Sequence, residues 1–351
     1  MYGVCNVKPP CVYCDWDTSK EMEGDMVDAP FTRETLESWG GLFSGANNLV
    51  NCSIGEPFMM RNFDELLDIF GDQGKALEMT TNGQILTERN IEKLLDRDID
   101  LYISLDAATA RTYARLRNDT FEKILENLRR LVQAKGGRGG LPRVHLVFMP
   151  MRCNVDELDA FVELCSRLEV DRLVLRPLNF SEGIGLKWER EGYTFDYPRE
   201  LLPFEELIRV STRAAELCRE QGVPLSDQMD FGGAMDDLFG EPEEEDKGRV
   251  SPASPAALSS KEEDQEEAMT ESVSLGEEKL PACTEPWSSL YILRRGIHPC
   301  CYGGHPVAPM DGFEQARNSP IVQDIRANLA AGKFHRYCLR SPSCPIVRKD
   351  S

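Results

Sequence analysis

The sequence lacks a long apolar run and is short of positive charge. Its longest apolar stretch, around Val144–Met151, is far too short to cross a bilayer. No apolar segment of the kind that opens a signal peptide precedes the first cysteine. These absences predict a cytoplasmic protein with no membrane partner. Lys and Arg total 40 against 60 Asp and Glu, and the net charge of −20 argues against a nucleic-acid partner held through its phosphates.

Aromatic residues are missing from one acidic segment, residues 241–280, which is rich in Ser, Pro and Glu. Residues 241–279 alone hold 13 acidic and four basic residues. Such a composition buries too little apolar surface to offset the entropy of ordering, so we predict a disordered linker. The predicted organisation is a barrel core over 1–225, a connecting segment over 226–240, the linker over 241–280 and a small cysteine-bearing domain over 281–351.

Short apolar runs alternate with helix-period segments between Phe31 and Val223. The predicted strands are Asn48–Ile54, Ala76–Thr80, Asp100–Leu105, Val144–Met149 and Arg172–Leu175. The predicted helices are Arg33–Leu42, Asn62–Phe70, Thr87–Leu95, Phe121–Ala134, Val155–Leu168 and Phe204–Glu220. Apolar strands separated by helices indicate parallel pairing with helical crossovers. The pattern favours an α/β fold with a full or partial βα barrel, and a doubly wound open sheet is the alternative.

Twelve cysteines are present, and eight of them lie in two groups near the ends of the chain. The first group, CNVKPPCVYC, places Cys5, Cys11 and Cys14 with gaps of five and two residues. A disulfide uses thiols in pairs and a structural zinc site takes four ligands, whereas an iron–sulfur cluster held by three thiolates leaves one iron open. The spacing alone leaves two readings open, a cluster and a zinc site with a distant fourth ligand.

Polar residues follow three successive predicted strands. Gly55-Glu56-Pro57 follows the first strand, Thr81-Asn82-Gly83 the second, and the third ends in Ser104-Leu105-Asp106. Each motif taken singly is ordinary turn chemistry. Their order places them together at the carboxyl edge of a parallel sheet, where loops of such folds carry the chemistry.

Together with the cysteine loop, the segments SIGEP, EMTTNG, ISLDAATARTYARLR and VHLVFMPMRCNVDELDAFVELC resemble the radical S-adenosylmethionine (SAM) enzymes. The resemblance covers about residues 1–225. It implies that Cys5, Cys11 and Cys14 hold a [4Fe-4S] cluster and that SAM chelates the open iron. The first gap of five residues departs from the three that are usual in that family, and only four residues stand where a first barrel strand is expected.

Further roles are implied by position in the same resemblance. Tyr13 matches the aromatic residue near the adenine, and Gly55 and Glu56 match the group that meets the methionyl amine. Thr81 and Ser104 match positions that contact the methionyl carboxylate or the ribose. Arg152 follows the strand at Val144–Met149 and is assigned to the carboxylate.

The carboxy-terminal segments CTEPWSSLYILRRGIHPCCYGG and FHRYCLRSPSC resemble the SPASM domain, an auxiliary-cluster module of many radical SAM enzymes. The resemblance implies one auxiliary iron–sulfur cluster, of the [4Fe-4S] type, held by Cys283, Cys301, Cys338 and Cys344. Cys301 follows Gly296 with a gap of four, and the adjacent Cys300 is its rival for that place. A four-cysteine zinc module is the alternative.

As a whole, the resemblance implies reductive cleavage of SAM to a 5′-deoxyadenosyl radical, which takes hydrogen from a substrate. A peptide or protein side chain is the first choice of substrate, and a sugar or other small metabolite is the second. An electron donor such as a flavodoxin or ferredoxin is expected. The alternative from another class is a non-catalytic iron–sulfur or zinc-binding protein that carries electrons.

Two further polar residues have predicted roles. His145 lies on an apolar strand and is predicted to be a satisfied core histidine rather than a ligand. Asp106 is predicted to orient Ser104 or to cap the following helix.

Overall fold

The computed structural model describes residues 5–14, 46, 48–51, 55–60, 62–72, 74–178, 187–229, 283–293, 296–302, 305–309, 313–340 and 344–348. The predicted helix Arg33–Leu42 and the acidic segment 241–280 lie outside these residues. In the described part of the chain, no helix is long and apolar enough to cross a bilayer.

Six parallel strands form the main sheet. The described strands are β1 (Asn48–Asn51), β2 (Ala76–Thr81), β3 (Ile99–Ser104), β4 (Arg143–Phe148), β5 (Arg172–Leu175), β6 (Lys187–Arg190), β7 (Tyr193–Asp196), β8 (Leu225–Asp227), β9 (Tyr291–Leu293) and β10 (Gly296–His298). The sheet order is β1-β2-β3-β4-β5-β8, and every neighbouring pair is parallel. Because right-handed crossovers between strands in chain order lie on one side of the sheet, the fold is a partial barrel rather than a doubly wound sheet.

Helices follow the strands as the sequence predicts. They are α1 (Phe63–Asp72), α2 (Glu88–Leu94), α3 (Ala110–Leu116), α4 (Phe121–Gly136), α5 (Leu158–Arg167), α6 (Tyr197–Glu200), α7 (Phe204–Gln221), α8 (Glu285–Ser288), α9 (Phe313–Arg317), α10 (Pro320–Ala330), α11 (Arg336–Leu339) and α12 (Pro345–Arg348). Short 3₁₀ turns span Pro57–Met59 and Val155–Glu157. The α/β fold class is confirmed. Helix α3 and strand β8 have no counterpart in the sequence-based prediction.

The main core lies between the sheet and the helices that cover it. Leu101 and Ile103 on β3, and Leu146 and Phe148 on β4, are fully buried. Phe148 packs against Phe161 of α5 with 4.8 Å between the ring centroids. The apolar residues of these strands therefore build this core: β4 is buried along nearly its whole length, and in β2 and β3 every second residue is buried.

A smaller apolar cluster seats the cysteine loop. It consists of Val12, Leu116, Met151, Leu178, Phe195 and Tyr197, with Tyr13 packed against it. The backbone N–H of Val12 donates to the carbonyl of Leu116 at the end of α3 (2.9 Å). The loop is thus attached to the carboxyl edge of the sheet by apolar packing and by the backbone.

The carboxy-terminal part contains the antiparallel pair β9–β10 and four short helices, α9 to α12, after it. Gly296 opens β10 with φ 137°. A Cβ atom at this position would lie 2.4 Å from the carbonyl oxygen of Ala308. That oxygen accepts the N–H of Ile297 (2.9 Å), so glycine is required where the two segments meet.

Phe148→Ala is expected to lower the free energy of unfolding by about 3–5 kcal/mol, because it leaves a cavity beside Phe161. Urea denaturation followed by circular dichroism measures this loss. Val50→Ala on β1 is the matched control, since Val50 is 57% exposed and its change should stay within about 0.5 kcal/mol. Equal losses in the two variants would contradict the placement of the core.

Candidate functional site

The loops that follow β1, β2, β3 and β4 lie at one edge of the sheet. Neighbouring parallel strands end on the same side, and β1 to β4 are neighbours in the sheet. Glu56, Thr81 and Asp106 are all buried at this edge. The sequence-based prediction that these strand ends come together is confirmed by their contacts.

Glu56 is the central carboxylate of this edge, with a side chain that is 1% exposed. It accepts hydrogen bonds from Thr81 Oγ1 (2.6 Å) and from the backbone N–H of Asn82 (2.9 Å). Burial raises the pKa of Glu56, and the hydrogen bonds from Asn82 and Thr81 oppose that rise. Because a carboxylate has about four acceptor sites, Glu56 retains capacity for a further N–H donor.

Two glycines shape the loops on either side of Glu56. Gly55 has φ 110° and precedes the turn at Pro57–Met59. Gly83 has φ 76°, and a Cβ atom there would approach Ile103 and Ile124 to 3.2 Å. The chain therefore turns sharply after β2, with the backbone close to the core.

Asn82 connects the strand ends to the beginning of the cysteine loop. Its Nδ2 donates one hydrogen bond to Asn6 Oδ1 (2.9 Å) and another to Cys5 Sγ (3.8 Å). Asn6 in turn donates to Gln84 Oε1 (3.1 Å). A continuous set of hydrogen bonds thus runs from Glu56 through Asn82 to Cys5.

Arg117 connects the other half of the cysteine loop to β3. Its Nη2 donates to Asp106 Oδ2 (2.7 Å), and its Nη1 donates to Cys11 Sγ (3.7 Å). The guanidinium also lies over the Tyr13 ring, 5.4 Å from the centroid. Sequence reasoning did not single out Arg117, because nothing local distinguishes it from Arg111 or Arg115 on the same helical segment.

Burial and charge act on the ionisable groups of this loop. Burial raises the pKa of the Cys11 thiol, and the positive charge of Arg117 opposes the rise. Burial also raises the pKa of Tyr13 well above its usual range, so its hydroxyl stays protonated and donates to Asp106 (2.7 Å). The neutral phenol of Tyr13 and the guanidinium of Arg117 therefore lie beside the thiols of this loop.

The predicted roles of Asp106 were wrong. Its Oδ2 accepts from Tyr13 and Arg117, and its Oδ1 accepts from the backbone N–H of Met149 (3.0 Å). Helix α3 is capped instead by Thr109, which accepts from the N–H of Thr112 (3.2 Å). Asp106 has φ 58°, a left-handed conformation that is uncommon for a residue other than glycine.

The remaining predicted residues of the barrel lie at different distances from this network. Ser104 is the half-buried last residue of β3 and pairs with Val147. The side chain of Arg152 is 51% exposed and contacts Glu206 on α7 at 4.0 Å. Among the described residues, no contact joins Arg152 to Glu56 or to the cysteine loop. His145 is 2% exposed and its Nε2 lies 2.6 Å from Asp100 Oδ1, whereas its Nδ1 is buried without a hydrogen-bond partner among the described residues. It is therefore a core histidine, as predicted, but only one of its two ring nitrogens is hydrogen-bonded.

A second group of thiols lines one cavity of about 150 Å³ in the carboxy-terminal part. Its five cysteines are Cys283, Cys300, Cys301, Cys338 and Cys344. Cys301 is exposed, and the other four are half-buried. Burial raises the pKa of Cys300 to about 11 and that of Cys338 to about 12. The structure therefore brings together the four predicted auxiliary ligands, and Cys300 with them.

Thiolates are the ligands that iron–sulfur clusters take, and the two groups hold three and five cysteines. Across the described ranges, no three Cys, His, Asp or Glu side chains converge closely enough to hold one metal ion. A cluster distributes its thiolates over several irons, so its ligands need not meet at one point. The N–H donors of Asn82 and Arg117 beside Cys5 and Cys11 are the kind of group that stabilises ligating thiolates.

Comparisons with known proteins agree with this geometry. The model of the Radical SAM superfamily matches residues 1–165, just under half of the chain. A probable GTP 3′,8-cyclase of Methanococcus maripaludis strain C7 is 27% identical over 240 residues, which cover 66% of this chain and 74% of that protein. Mycofactocin maturase MftC of Mycobacterium tuberculosis is 30% identical over 165 residues, which cover 46% of this chain and 39% of that protein. The chain spans only 52% to 63% of three further M. maripaludis cyclases.

SuiB of Streptococcus suis shares the fold. Its crystal structure bound to S-adenosylmethionine has a TM-score of 0.62 and 14% identity, with coverage of 100% of this chain and 73% of that chain. SuiB bound to precursor peptide SuiA gives the same TM-score and identity, with 71% of that chain covered. The Radical SAM superfamily model thus matches the part of the chain, residues 1–165, that contains the cysteine loop and the buried network at the strand ends.

Proposed function

We propose that this protein is a radical SAM enzyme that cleaves SAM reductively and abstracts hydrogen from a peptide or protein side chain. The observation that carries the proposal is the hydrogen-bonded path from the buried Glu56 through Asn82 to Cys5. A [4Fe-4S] cluster bound by Cys5, Cys11 and Cys14 would supply, once reduced, the electron that cleaves SAM to methionine and a 5′-deoxyadenosyl radical, and that radical would take a hydrogen atom from the substrate. Binding and orientation of the cofactor and substrate, and the exclusion of water, fall to the residues of this chain.

Glu56 is the proposed acceptor for the methionyl amine of SAM. Thr81 and Asn82 occupy one direction at each of its two carboxylate oxygens and fix the side chain in place. Gly55 has no side chain to block the approach of a ligand from the strand end. Ser104 is proposed to contact the carboxylate or ribose of SAM from the end of β3, and Thr81 to act mainly by orienting Glu56.

Tyr13 and Arg117 are proposed to hold the cysteine loop in the conformation that presents its thiols. Arg117 is 5% exposed and Asp106 is 1% exposed, and the two form a buried ion pair at 2.7 Å. The same guanidinium donates to Cys11 Sγ, where a positive charge favours the thiolate that a cluster needs. Arg152 contacts Glu206 in this structure. Its proposed contact with the carboxylate of SAM therefore requires a different conformation of its side chain.

An auxiliary [4Fe-4S] cluster in a SPASM-type domain is part of the proposal. It is supported by the five cysteines that line the carboxy-terminal cavity. Gly296 supports it as well, because only a residue without a side chain can occupy that position. Its proposed role is to bind the substrate or to accept an electron from the product radical. A flavodoxin or ferredoxin is the proposed donor for the first cluster.

The choice of a peptide substrate is supported by two of the compared proteins. SuiB, which shares the fold with a TM-score of 0.62, binds a precursor peptide. MftC, which is 30% identical over 165 residues, is a maturase. A non-catalytic electron carrier is not favoured, because the buried Glu56–Thr81 pair has no use in such a protein.

A nucleotide is the second candidate substrate. The match to the probable GTP 3′,8-cyclase extends over 240 residues, more than the match to MftC. An increase in 5′-deoxyadenosine formation on addition of GTP to the reduced protein would favour this candidate over a peptide.

Glu56→Gln is expected to weaken SAM binding by about 10- to 100-fold, because the amide loses the charge that faces the amine. Equilibrium dialysis under anaerobic conditions measures the affinity, and the iron content shows that the cluster is retained. Glu163→Gln on the exposed face of α5 is the matched control and should leave binding unchanged. A Glu56→Gln protein that keeps both its iron and its SAM affinity would contradict the assignment.

Arg117→Gln is expected to lower the free energy of unfolding by about 3–5 kcal/mol, because it leaves the buried charge of Asp106 without a partner. The double variant Asp106→Asn/Arg117→Gln should recover a large part of this loss. Arg111→Gln, at an exposed position of α3, is the control. Equal losses in the single and double variants, measured by urea denaturation, would show that the pair does not depend on its mutual charge.

A further inference from the structure

The hairpin of β6 and β7 lies against the cysteine loop, and a residue at its tip contacts that loop. Arg190 is the last residue of β6 and pairs with Tyr193 of β7. Glu191 and Gly192 form the two-residue turn between the strands, with φ of 50° and 69°. Positive φ at both residues is typical of a tight hairpin turn that keeps its strands in register. The hairpin therefore presents the side chain of Arg190 from a defined position.

Contacts of β7 and α6 fix the hairpin to the main sheet and to the cysteine loop. Phe195 is 1% exposed and packs against Tyr13, with 6.4 Å between the ring centroids. The Tyr193 hydroxyl donates to the buried Glu200, which also accepts the backbone N–H of Cys153 in the loop after β4 (2.9 Å). The strand beside Arg190 is therefore anchored on two sides.

Arg190 donates to two backbone carbonyls that belong to different parts of the chain. Its Nη2 donates to the carbonyl of Pro10 (2.8 Å), and its Nη1 donates to the carbonyl of Arg117. Pro10 lies 180 residues away in sequence, and Arg117 lies 73 residues away. A guanidinium presents its N–H groups in a rigid planar fork, so this one side chain fixes the separation of the two carbonyls.

The two carbonyls belong to the residues that determine the position of one thiol and its donor. Pro10 is bonded directly to Cys11, and the side chain of Arg117 donates to Cys11 Sγ (3.7 Å). Arg190 therefore lies across the junction at which the cysteine loop meets the end of α3. It holds both partners of the hydrogen bond between Arg117 and Cys11.

We propose that Arg190 is a positioning residue of the candidate site: it holds the cysteine loop against the end of α3, at the separation at which Arg117 donates to Cys11. This inference rests on the proposed function in so far as the loop binds a cluster, and it gives the β6–β7 hairpin a part in that site. Arg190 acts indirectly, because the two hydrogen bonds described for it end on carbonyl oxygens and not on a thiol.

Hydrogen–deuterium exchange of the full chain, prepared without iron, tests the positioning of the loop. The readout is the backbone N–H of Val12, which donates to the carbonyl of Leu116 (2.9 Å). Arg190→Met should raise the exchange rate of this N–H at least tenfold, because the loop then loses its connection through Pro10 to the end of α3.

Lys187→Met, at an exposed position of the same strand, is the matched control and should leave the exchange unchanged. The N–H of Leu173 on β5, which donates to the carbonyl of Pro224 (2.8 Å), is the internal reference. An unchanged rate at Val12 in Arg190→Met would overturn the inference. An equal rise at Val12 and Leu173 would also overturn it, because it would show a general loss of stability.

The reduction potential of the first cluster tests whether this positioning matters to the site. It is measured by electron paramagnetic resonance in a Cys283→Ala/Cys338→Ala background, so that the signal comes from the cysteine loop alone. Arg190→Met and Arg190→Lys should both lower the potential relative to Lys187→Met. The reason is that the N–H donor of Arg117 then moves away from Cys11, and a donor to a ligating thiolate favours the reduced cluster.

The lysine variant separates position from charge, because it keeps the positive charge but has no planar fork to span both carbonyls. An unchanged potential in Arg190→Lys would show that charge alone is needed and would overturn the positioning role. Absence of iron from the cysteine loop of the unaltered chain would contradict the proposed function, whereas the exchange rate at Val12 would still decide whether Arg190 holds the loop.

Discussion

The ion pair between Arg117 and Asp106 joins the cysteine loop to the sheet, and the arrangement of the candidate site depends on it. Asp106 follows β3, Arg117 follows α3, and Cys11 lies on a loop more than one hundred residues away in sequence. Two buried charges lose the hydration they have in water, so the pair needs further hydrogen-bond partners, although Arg117 Nε is buried with none among the described residues. Tyr13, Met149 and Cys11 supply those partners.

Glu56 is held in a comparable way on the other side of the site. Its carboxylate is buried without a cationic side chain in hydrogen-bonding contact among the described residues, and it is kept in place by a hydroxyl and two backbone N–H groups. A buried carboxylate with spare acceptor capacity is costly in a protein that has no cationic ligand to bind. Its presence at the carboxyl edge of the sheet is therefore an argument for a site that receives an ammonium group.

Much of the fold could be predicted from the sequence, because the signals for its strands lie in short stretches of consecutive residues. The apolar runs that predict β2 to β5 are long enough to be read without tertiary information, and each lies within two residues of the strand that forms. The three residues of β8 carry too short a pattern, and helix α3 has a mixed pattern because one of its faces packs against the cysteine loop. The doubly wound alternative was open in the sequence, since chain order alone does not give strand order.

Site residues divide in the same way. Glu56, Thr81 and the cysteine loop could be predicted because their positions relative to strands and to one another form a pattern. Arg117 could not, since its role comes from contacts with Cys11 and Asp106 that only the folded chain creates. The domain boundaries around the acidic segment stay a prediction.

The central claim is that the cysteine loop and the strand ends together support SAM cleavage. The most direct measurement is the 5′-deoxyadenosine formed from SAM by the anaerobically reconstituted, dithionite-reduced protein, with Cys14→Ala as the control. The account predicts 5′-deoxyadenosine from the unaltered chain and none from the variant. Iron bound at the cysteine loop with no 5′-deoxyadenosine from either protein, or zinc in place of the iron, would contradict it.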